Sequence, residues 1–260
     1  MEAFLGKYSP DLLLADHHIH TRGSDGCLKP AEVIEFALKH NLKTIGITDH
    51  EVIAPALKVK KYCEDKGITL EVIIASEITT RSGHLVGLYL TKDIPSGKSL
   101  EWTIQAIHDQ NGLVIAPHPF YWITRSLGKE KVISIAKNPH EQIYFDGFEV
   151  QNGAIPPFLN CNTEAQKFFL EHWEHLGAPL GCSDAHRRCD FGGGFTGYHK
   201  DLRQAIKSKQ TTVIYQQNLD KELSLTSIIE KTVDTGSMLG RGLIFEPARR
   251  FQRYLNYFGA

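Results

Sequence analysis

The chain has 260 residues, of which 42% are hydrophobic and 23% are charged. These values are typical of globular proteins and exclude a disordered or collagen-like chain. Lys and Arg number 29 against 30 Asp and Glu, which gives a net charge of -1, so no overall basic field attracts nucleic acid or an anionic membrane. The length fits one α/β barrel, since such barrels often have roughly 200–250 residues in a single domain.

The apolar runs of the chain are short, with four or five residues at most, whereas a membrane-spanning helix needs about 20. The first residues show no basic segment followed by a long apolar one, so the sequence predicts no signal peptide. The five cysteines are odd in number and irregularly spaced, which favours a reducing compartment over a disulfide framework. We therefore expect a cytoplasmic protein that does not associate with membranes.

Short apolar runs alternate with helical patterns along most of the chain. The predicted strands, in chain order, are 12–15, 44–48, 70–75, 85–90, 113–116, 147–150 and 178–182. The predicted helices are 30–41, 55–66, 99–111 and 164–176; the second stops at Gly67, and Gly112 is predicted to be a left-handed cap of the third. This alternation is typical of an α/β fold whose parallel strands are buried on both faces.

The pattern shows no domain boundary before about residue 195, so we expect a barrel over 1–195 and a mostly helical C-terminal extension over 196–260 that packs on the barrel. Gly192-Gly193-Gly194 lacks the Lys-Ser/Thr of a phosphate-binding P-loop and is interpreted as a flexible turn. The segment 246–258 repeats apolar residues at helical spacing, with arginines on another face. This basic amphipathic helix is predicted to dock on the barrel or on a second subunit, and membrane-surface binding is the alternative.

Imidazole and carboxylate side chains stand at an end of nearly every predicted strand. They are His18, His20, Asp25, His50, Glu77, His84, His118, Asp184 and His186. Because the carboxyl ends of the strands of an α/β barrel converge on one rim, we expect these side chains to meet in one concave site. A mixed set of nitrogen and oxygen donors suits Zn, Mn or Fe better than Ca or Mg.

The same residues lie in segments that come in a recognisable order. These segments are DHHIHT (16–21), SDG (24–26), TDH (48–50), SEIT (76–79), GHLVGL (83–88), APHP (116–119) and SDAH (183–186). Together they resemble the motifs of the polymerase and histidinol phosphatase (PHP) family. The resemblance implies a distorted (β/α)7 barrel that holds two or three divalent metal ions and hydrolyses phosphoesters.

Transferred residue by residue, the resemblance implies three metal sites that together use all nine positions. The first site comprises His18, His20, Glu77 and Asp184, the second comprises Glu77 as a bridge with His84 and His118, and the third comprises Asp25, His50 and His186. One departure is His17, where the family usually has an apolar residue. We interpret it as a core histidine with satisfied hydrogen bonds, and a spare polar group near the site is the alternative.

The charge of such a centre favours an anionic substrate. Three divalent cations, three carboxylates and a bridging hydroxide leave a residual charge of about +2, which matches a phosphomonoester dianion and not a neutral amide. Metals lower the pKa of a bound water towards about 7, so the expected nucleophile is a metal-bound hydroxide. No residue can be named as the acid that protonates the leaving group.

The sequence therefore predicts a phosphatase for a small phosphomonoester, either a metabolite or a nucleotide. The alternatives are a 5′-3′ exonuclease on short oligonucleotides and a non-catalytic metal-binding scaffold. Arg125 and Arg187 are predicted to bind the substrate phosphate, and Arg188 is a weaker candidate, since arginine binds phosphate in a bidentate manner. The aromatic segment 120–122 is interpreted as a packing cluster, with nucleobase stacking as the alternative.

Overall fold

The computed structural model of the chain describes residues 5–6, 11–138 and 140–214, all within one compact unit, Met1–Gln217. The predicted C-terminal amphipathic helix lies outside the described residues. The described strands are β1 (Leu5–Gly6), β2 (Leu13–Ile19), β3 (Leu42–Ile47), β4 (Glu71–Thr79), β5 (His84–Leu88), β6 (Leu113–Ala116), β7 (Gly147–Asn152), β8 (Ala178–Cys182), β9 (Phe195–Tyr198) and β10 (Thr212–Ile214). The described helices are α1 (Pro30–Lys39), α2 (Ala54–Lys66), α3 (Leu100–His108), α4 (Gly128–Ala136), α5 (Cys161–His172) and α6 (Leu202–Lys207).

All ten strands form one sheet in the order β1-β10-β9-β2-β3-β4-β5-β6-β7-β8. The strands β2, β3 and β4 are parallel, as are β6, β7 and β8. In contrast, β5 runs antiparallel to both of its neighbours, and β9 runs antiparallel to β2 and β10. The prediction of a wholly parallel sheet is therefore wrong. Only residues 80–83 join β4 to β5, and a parallel crossover needs a dozen or more residues.

The sheet curls until β8 returns to the strands at its other end. The backbone N–H of Gly181 donates to Thr196 Oγ1 (3.1 Å), and that hydroxyl donates to the carbonyl of Gly181 (2.8 Å). Beyond the strand ends, Ile19 forms a parallel bridge with Ala185. Hydrogen bonds to a side chain thus join the edge strand β8 to β9, which do not pair as neighbours in the sheet. The prediction of an α/β sheet curled towards a barrel is confirmed, and the sevenfold βα repeat stays a prediction.

Residues after 195 contribute to this same sheet. The strand β9 starts at the predicted boundary and pairs with β2, and β10, which lies in the predicted extension over 196–260, pairs with β1. The glycines before β9 allow close approach of two backbone segments, because a Cβ on Gly193 would lie 2.4 Å from the Cα of Gly153. The interpretation of this turn as merely flexible omitted that contact.

The helix ends follow local capping chemistry, with one difference from the prediction. Ser99 caps α3 by accepting the N–H of Trp102 (3.1 Å), and Gly67 ends α2 in the left-handed region (φ 62°). After α3, the left-handed residue is Asn111 (φ 57°) and not Gly112, so the predicted cap at Gly112 is wrong. No helix among the described segments combines the length and apolar character that crossing a membrane requires.

Candidate metal centre

The nine predicted side chains converge at one end of the curled sheet, around Glu77 of β4. Oε1 of Glu77 lies 2.7 Å from His84 Nδ1 and 3.0 Å from His118 Nε2. Oε2 lies 3.2 Å from His20 Nε2, and 3.5 Å from Nε2 of both His18 and His50. The carboxylate is only 2% exposed, and each of its oxygens faces a different set of imidazoles.

His18, near the end of β2, and His20, directly after it, face Asp184, which follows β8. Both Nε2 atoms lie 3.4 Å from Asp184 Oδ1 and 3.1 Å from each other. The register of β2 against β3 shifts between Asp16 and Ile19, and such a bulge re-aims side chains at a strand end. Asp184 has a left-handed backbone (φ 50°), a conformation that costs energy and is concentrated at functional sites.

A third group lies on the more open side of the cluster. Asp25 Oδ2 lies 3.3 Å from His50 Nε2 and 3.5 Å from His186 Nε2, while Oδ1 lies 3.3 Å from His20 Nδ1. The side chain of Asp25 is 37% exposed, in contrast to the buried Glu77 and Asp184. The structure thus brings the three predicted groups together, with His20 shared between two of them, and solvent reaches the cluster beside Asp25.

The cluster holds strongly shifted pKa values with opposing causes. Burial lowers the pKa of His18, yet the carboxylates of Asp184 and Glu149 outweigh it and hold that pKa well above its ordinary value. Burial also lowers the pKa of His50, whereas the carboxylates of Asp25 and Glu77 raise it. The carboxylates outweigh burial, and the pKa of His50 rises to about 9. His84 differs, because burial dominates and lowers its pKa.

The carboxylates show the complementary pattern. Burial raises the pKa of Glu77, but the neighbouring imidazoles, led by His84 and His50, hold it well below its usual range. Burial likewise raises the pKa of Asp25, and His50 and His186 overcome that effect. The carboxylates are therefore ionised at neutral pH.

Several donor atoms in the cluster lack hydrogen-bond partners. Among the described residues, His84 Nε2 is buried without a hydrogen bond, and Asp184 Oδ1 and His84 Nδ1 are buried with close ionic contacts, at 3.4 and 2.7 Å, that lack hydrogen-bond geometry. Buried polar atoms are normally paired, and exceptions call for an explanation such as an ion. Carboxylate oxygens and imidazole nitrogens that point at one another are the donor set of a divalent metal site, and several triplets of them could hold an ion.

Sequence reasoning missed two carboxylates that support this cluster. Glu149 of β7 lies 2.8 Å from His18 Nδ1 and accepts the N–H of His118 at 2.7 Å. Asp49, after β3, accepts the hydroxyls of Thr21 (2.7 Å) and Ser24 (2.6 Å) in the loop that carries Asp25. A charged residue within the apolar run of β7 was the available signal for Glu149.

The predicted phosphate-binding arginines lie in loops that carry cluster residues. The side chain of Arg125 is exposed, and its carbonyl accepts the N–H of His84 at 2.7 Å. Arg187 is half-buried and directly follows His186. Arg188 is paired with Glu32 of α1 at 3.0 Å. A phosphate-binding role therefore stays a prediction for Arg125 and Arg187, and Arg188 has a structural partner.

The aromatic segment after His118 divides in two. Phe120 and Tyr121 are buried (8% and 6% exposed), and Phe120 packs edge-on against Phe148 and Phe168. Trp122 is 72% exposed. The packing interpretation is therefore confirmed for the first two residues, whereas Trp122 presents its ring to solvent.

Comparison with known proteins agrees with this arrangement. The PHP domain family matches residues 16–186, which include all nine residues of the cluster. An uncharacterized protein of Methanocaldococcus jannaschii is 40% identical over 125 residues, 44% of this chain and 72% of that protein. The 5′-3′ exoribonuclease Rnm of Escherichia coli is 31% identical over 103 residues, 38% of this chain and only 34% of that protein.

Solved structures share the fold. A two-domain protein of Bacteroides vulgatus containing a predicted PHP-like metal-dependent phosphoesterase has a TM-score of 0.62 and 21% identity, over 87% of this chain and 74% of that one. Endonuclease Q, solved with a 27-mer duplex bearing an abasic lesion, has a TM-score of 0.52 and 15% identity, over 77% of this chain and 58% of that one. At such identities the likeness shows a common architecture.

Proposed function

The chain belongs to the PHP domain family, and on that premise we propose that it is a metal-dependent phosphatase for a small phosphomonoester, either a metabolite or a nucleotide. The observation that carries the proposal is the position of Glu77, whose two buried oxygens each face a separate set of imidazoles. A bridging carboxylate of this kind suits a centre of several cations, and such centres act on phosphoesters.

The proposed ligands are the nine clustered residues, in the three groups around Glu77, Asp184 and Asp25. Divalent ions of Mn, Zn or Fe, two or three in number, would supply charge to neutralise the phosphoryl oxygens and would activate a water. The remaining work belongs to the chain. Burial excludes bulk water from Glu77 and His18, and the exposed side of Asp25 gives a phosphoester access. We assign Arg125 and Arg187 to the substrate phosphate as bidentate donors.

The direct test measures phosphate release from p-nitrophenyl phosphate by the full chain, with added Mn²⁺, Zn²⁺ or Fe²⁺ and after exhaustive chelation. We expect turnover only with metal, and no turnover from His20→Ala. His175→Ala is the matched control, because His175 is exposed and lies outside the cluster. Turnover that survives both chelation and His20→Ala would contradict the proposal. Metal binding without any turnover would favour a non-catalytic scaffold.

A second candidate is a 5′-3′ exonuclease on short oligonucleotides. Two observations favour it, namely the identity to an exoribonuclease over 38% of the chain and the exposed ring of Trp122 in the loop after His118. Base stacking on an aromatic ring contributes about 1–3 kcal/mol per base. If oligonucleotides are the substrate, Trp122→Ala lowers kcat/KM for 5′-phosphorylated oligomers by roughly 5- to 150-fold and leaves p-nitrophenyl phosphate hydrolysis unchanged. Equal kcat/KM on oligomers for the wild-type protein and Trp122→Ala would contradict a role of Trp122 in binding oligonucleotides.

A further inference from the structure

The strand β7 supplies none of the nine proposed ligands, yet it lies against several of them. All of its residues are buried, and of its three polar residues Glu149 (1% exposed) and Asn152 (1% exposed) contact the cluster, whereas Gln151 donates to the carbonyl of Gly193. A buried carboxylate must be paired, because an isolated charge in the interior is strongly unfavourable. The contacts of Glu149 therefore identify the groups that its carboxylate stabilises.

The two oxygens of Glu149 contact different strands. Oε1 lies 2.8 Å from His18 Nδ1 and 3.3 Å from His17 Nε2. Oε2 accepts the backbone N–H of His118 (2.7 Å) and the side-chain amide of Asn152 (2.9 Å). His118 has a left-handed backbone (φ 27°), so the bond from its N–H holds a conformation that the chain alone disfavours.

Asn152 extends this network to the opposite side of the cluster. Its Oδ1 accepts the N–H of Ala154 at 3.0 Å, which requires its Nδ2 to face the carboxylates. Nδ2 donates to Glu149 Oε2 and to Asp184 Oδ2, the latter at 3.1 Å. Glu149 and Asn152 thus contact His18, His118 and Asp184, which belong to both groups that share Glu77.

The contact with His18 has a specific chemical consequence. In the neutral form of the ring, which is the form that binds a metal, a carboxylate at Nδ1 keeps the proton on that nitrogen and leaves the lone pair on Nε2, the atom that lies 3.5 Å from Glu77 and 3.4 Å from Asp184. Partners of this kind fix the tautomer and orientation of metal-binding imidazoles and raise their basicity. An amide in place of the carboxylate has one acceptor oxygen only, so it cannot accept from both His18 and His118.

We propose that Glu149, supported by Asn152, is a positioning residue that sets the tautomer of His18 and the placement of His118, and so determines the affinity of the cluster for divalent metal. The proposal rests on the proposed function, since it assigns the metal to the same cluster. It adds that β7, which carries no ligand, controls whether the ligands can act together.

The test measures Zn²⁺ and Mn²⁺ affinity of the full chain by competition with a chromophoric chelator, so that activity is not required. We expect Glu149→Gln to weaken binding by roughly 10- to 100-fold. We expect Glu149→Asp, which keeps two acceptor oxygens, to recover most of the affinity. The matched control is Glu71→Gln, the same change at a carboxylate that accepts from Thr44 on β3. It leaves metal affinity unchanged.

A cooperative thermal unfolding transition shows whether Glu149→Gln is folded. If it is not, Asn152→Ala serves as a second variant. It removes one donor without altering charge, and we expect binding to weaken by about tenfold.

Cys182→Ala checks whether Glu149 is itself a ligand, because His17, Glu149 and Cys182 form a separate group of potential donors. Loss of a bound ion in Cys182→Ala would overturn the positioning role.

Wild-type affinity in Glu149→Gln would also overturn the inference, as would equal losses in Glu149→Gln and Glu149→Asp. These results leave the proposed function standing, because the wild-type protein still binds metal. Absence of metal binding in the wild-type protein would instead defeat the proposed function together with the inference.

Discussion

Histidine–carboxylate contacts lie near both ends of β7, and the two differ in what the second ring nitrogen does. Before the strand, Asp146 lies 2.9 Å from His108 Nε2, while Nδ1 of that ring lies 2.8 Å from the carbonyl of Gln142. At the other end, Glu149 contacts His18 Nδ1, while Nε2 lies among carboxylates and another imidazole.

An imidazole with both nitrogens satisfied stabilises the fold, whereas one with a lone pair directed into a cluster of donors is suited to bind an ion. This comparison separates the two kinds of histidine in a chain that contains 13 of them. It predicts that changes at the two ends of β7 affect different properties, activity at one end and stability at the other.

The largest effect is expected from Glu77→Gln, because both oxygens of this carboxylate face imidazoles. A variant that cannot hold the cations together loses several kcal/mol of transition-state stabilisation. We therefore expect kcat/KM for a phosphomonoester to fall by at least about 1,000-fold. Steady-state kinetics with saturating metal measures this loss. A residual rate within tenfold of wild type would show that Glu77 does not organise the centre.

The next effect is a pH dependence of the metal-free protein. The pKa of His50 is raised to about 9, so its protonated form stabilises the fold fully below a pH of about 6.5, and this contribution is lost as the pH rises through about 9. The contribution is on the order of 3 kcal/mol. Thermal unfolding after chelation should show Tm falling between pH 6.5 and 9. Metal affinity should rise over the same interval, since binding displaces protons.

His108→Ala tests the opposite end of β7. The free energy of unfolding should fall by about 1–3 kcal/mol, because Asp146 loses a buried partner. Burial lowers the pKa of His108, but Asp146 and the Gln142 carbonyl outweigh it and raise the pKa overall. The protonated ring therefore stabilises the fold at low pH, and the difference in stability between wild type and variant should shrink as the pH rises. Metal affinity and turnover should stay at wild-type values. A loss of metal binding in this variant would contradict the assignment of His108 to stability and of the other end of β7 to metal binding.

The smallest effects concern the adjacent arginines after His186. Arg187→Ala should raise KM for a phosphomonoester by about tenfold, because a charge-assisted hydrogen bond contributes about 1.5–3 kcal/mol. Arg188→Ala, which removes an exposed pair with Glu32, should leave KM within about twofold. Equal effects of the two changes would contradict the assignment of Arg187.

Much of the architecture was predictable because buried strands and amphipathic helices leave local patterns. The seven predicted strands are all present, and the helix predicted to stop at Gly67 does end there. The direction of β5 was missed, since apolar runs look alike in parallel and antiparallel strands. The pairing of β9 with β2 was missed because it depends on residues that lie 181 to 185 positions apart.

The candidate site divides in the same way. The residue types and their place at strand ends were readable, so the nine clustered residues were predicted from the sequence. Glu149, Asn152 and Asp49 were not, because a residue that supports a ligand has no spacing rule of its own. Its role depends on which atoms lie across from it in the folded chain.

The sequence alone determined the donor chemistry, since histidine and carboxylate side chains are fixed by composition and their strand-end positions by local periodicity. Only the tertiary structure decided which atoms meet. The curl of the sheet brings β8 back to β2, so that Asp184 lies 3.4 Å from His18 and His20. Distances between residues so far apart in the chain result from packing of the whole core, which no local pattern of residues encodes.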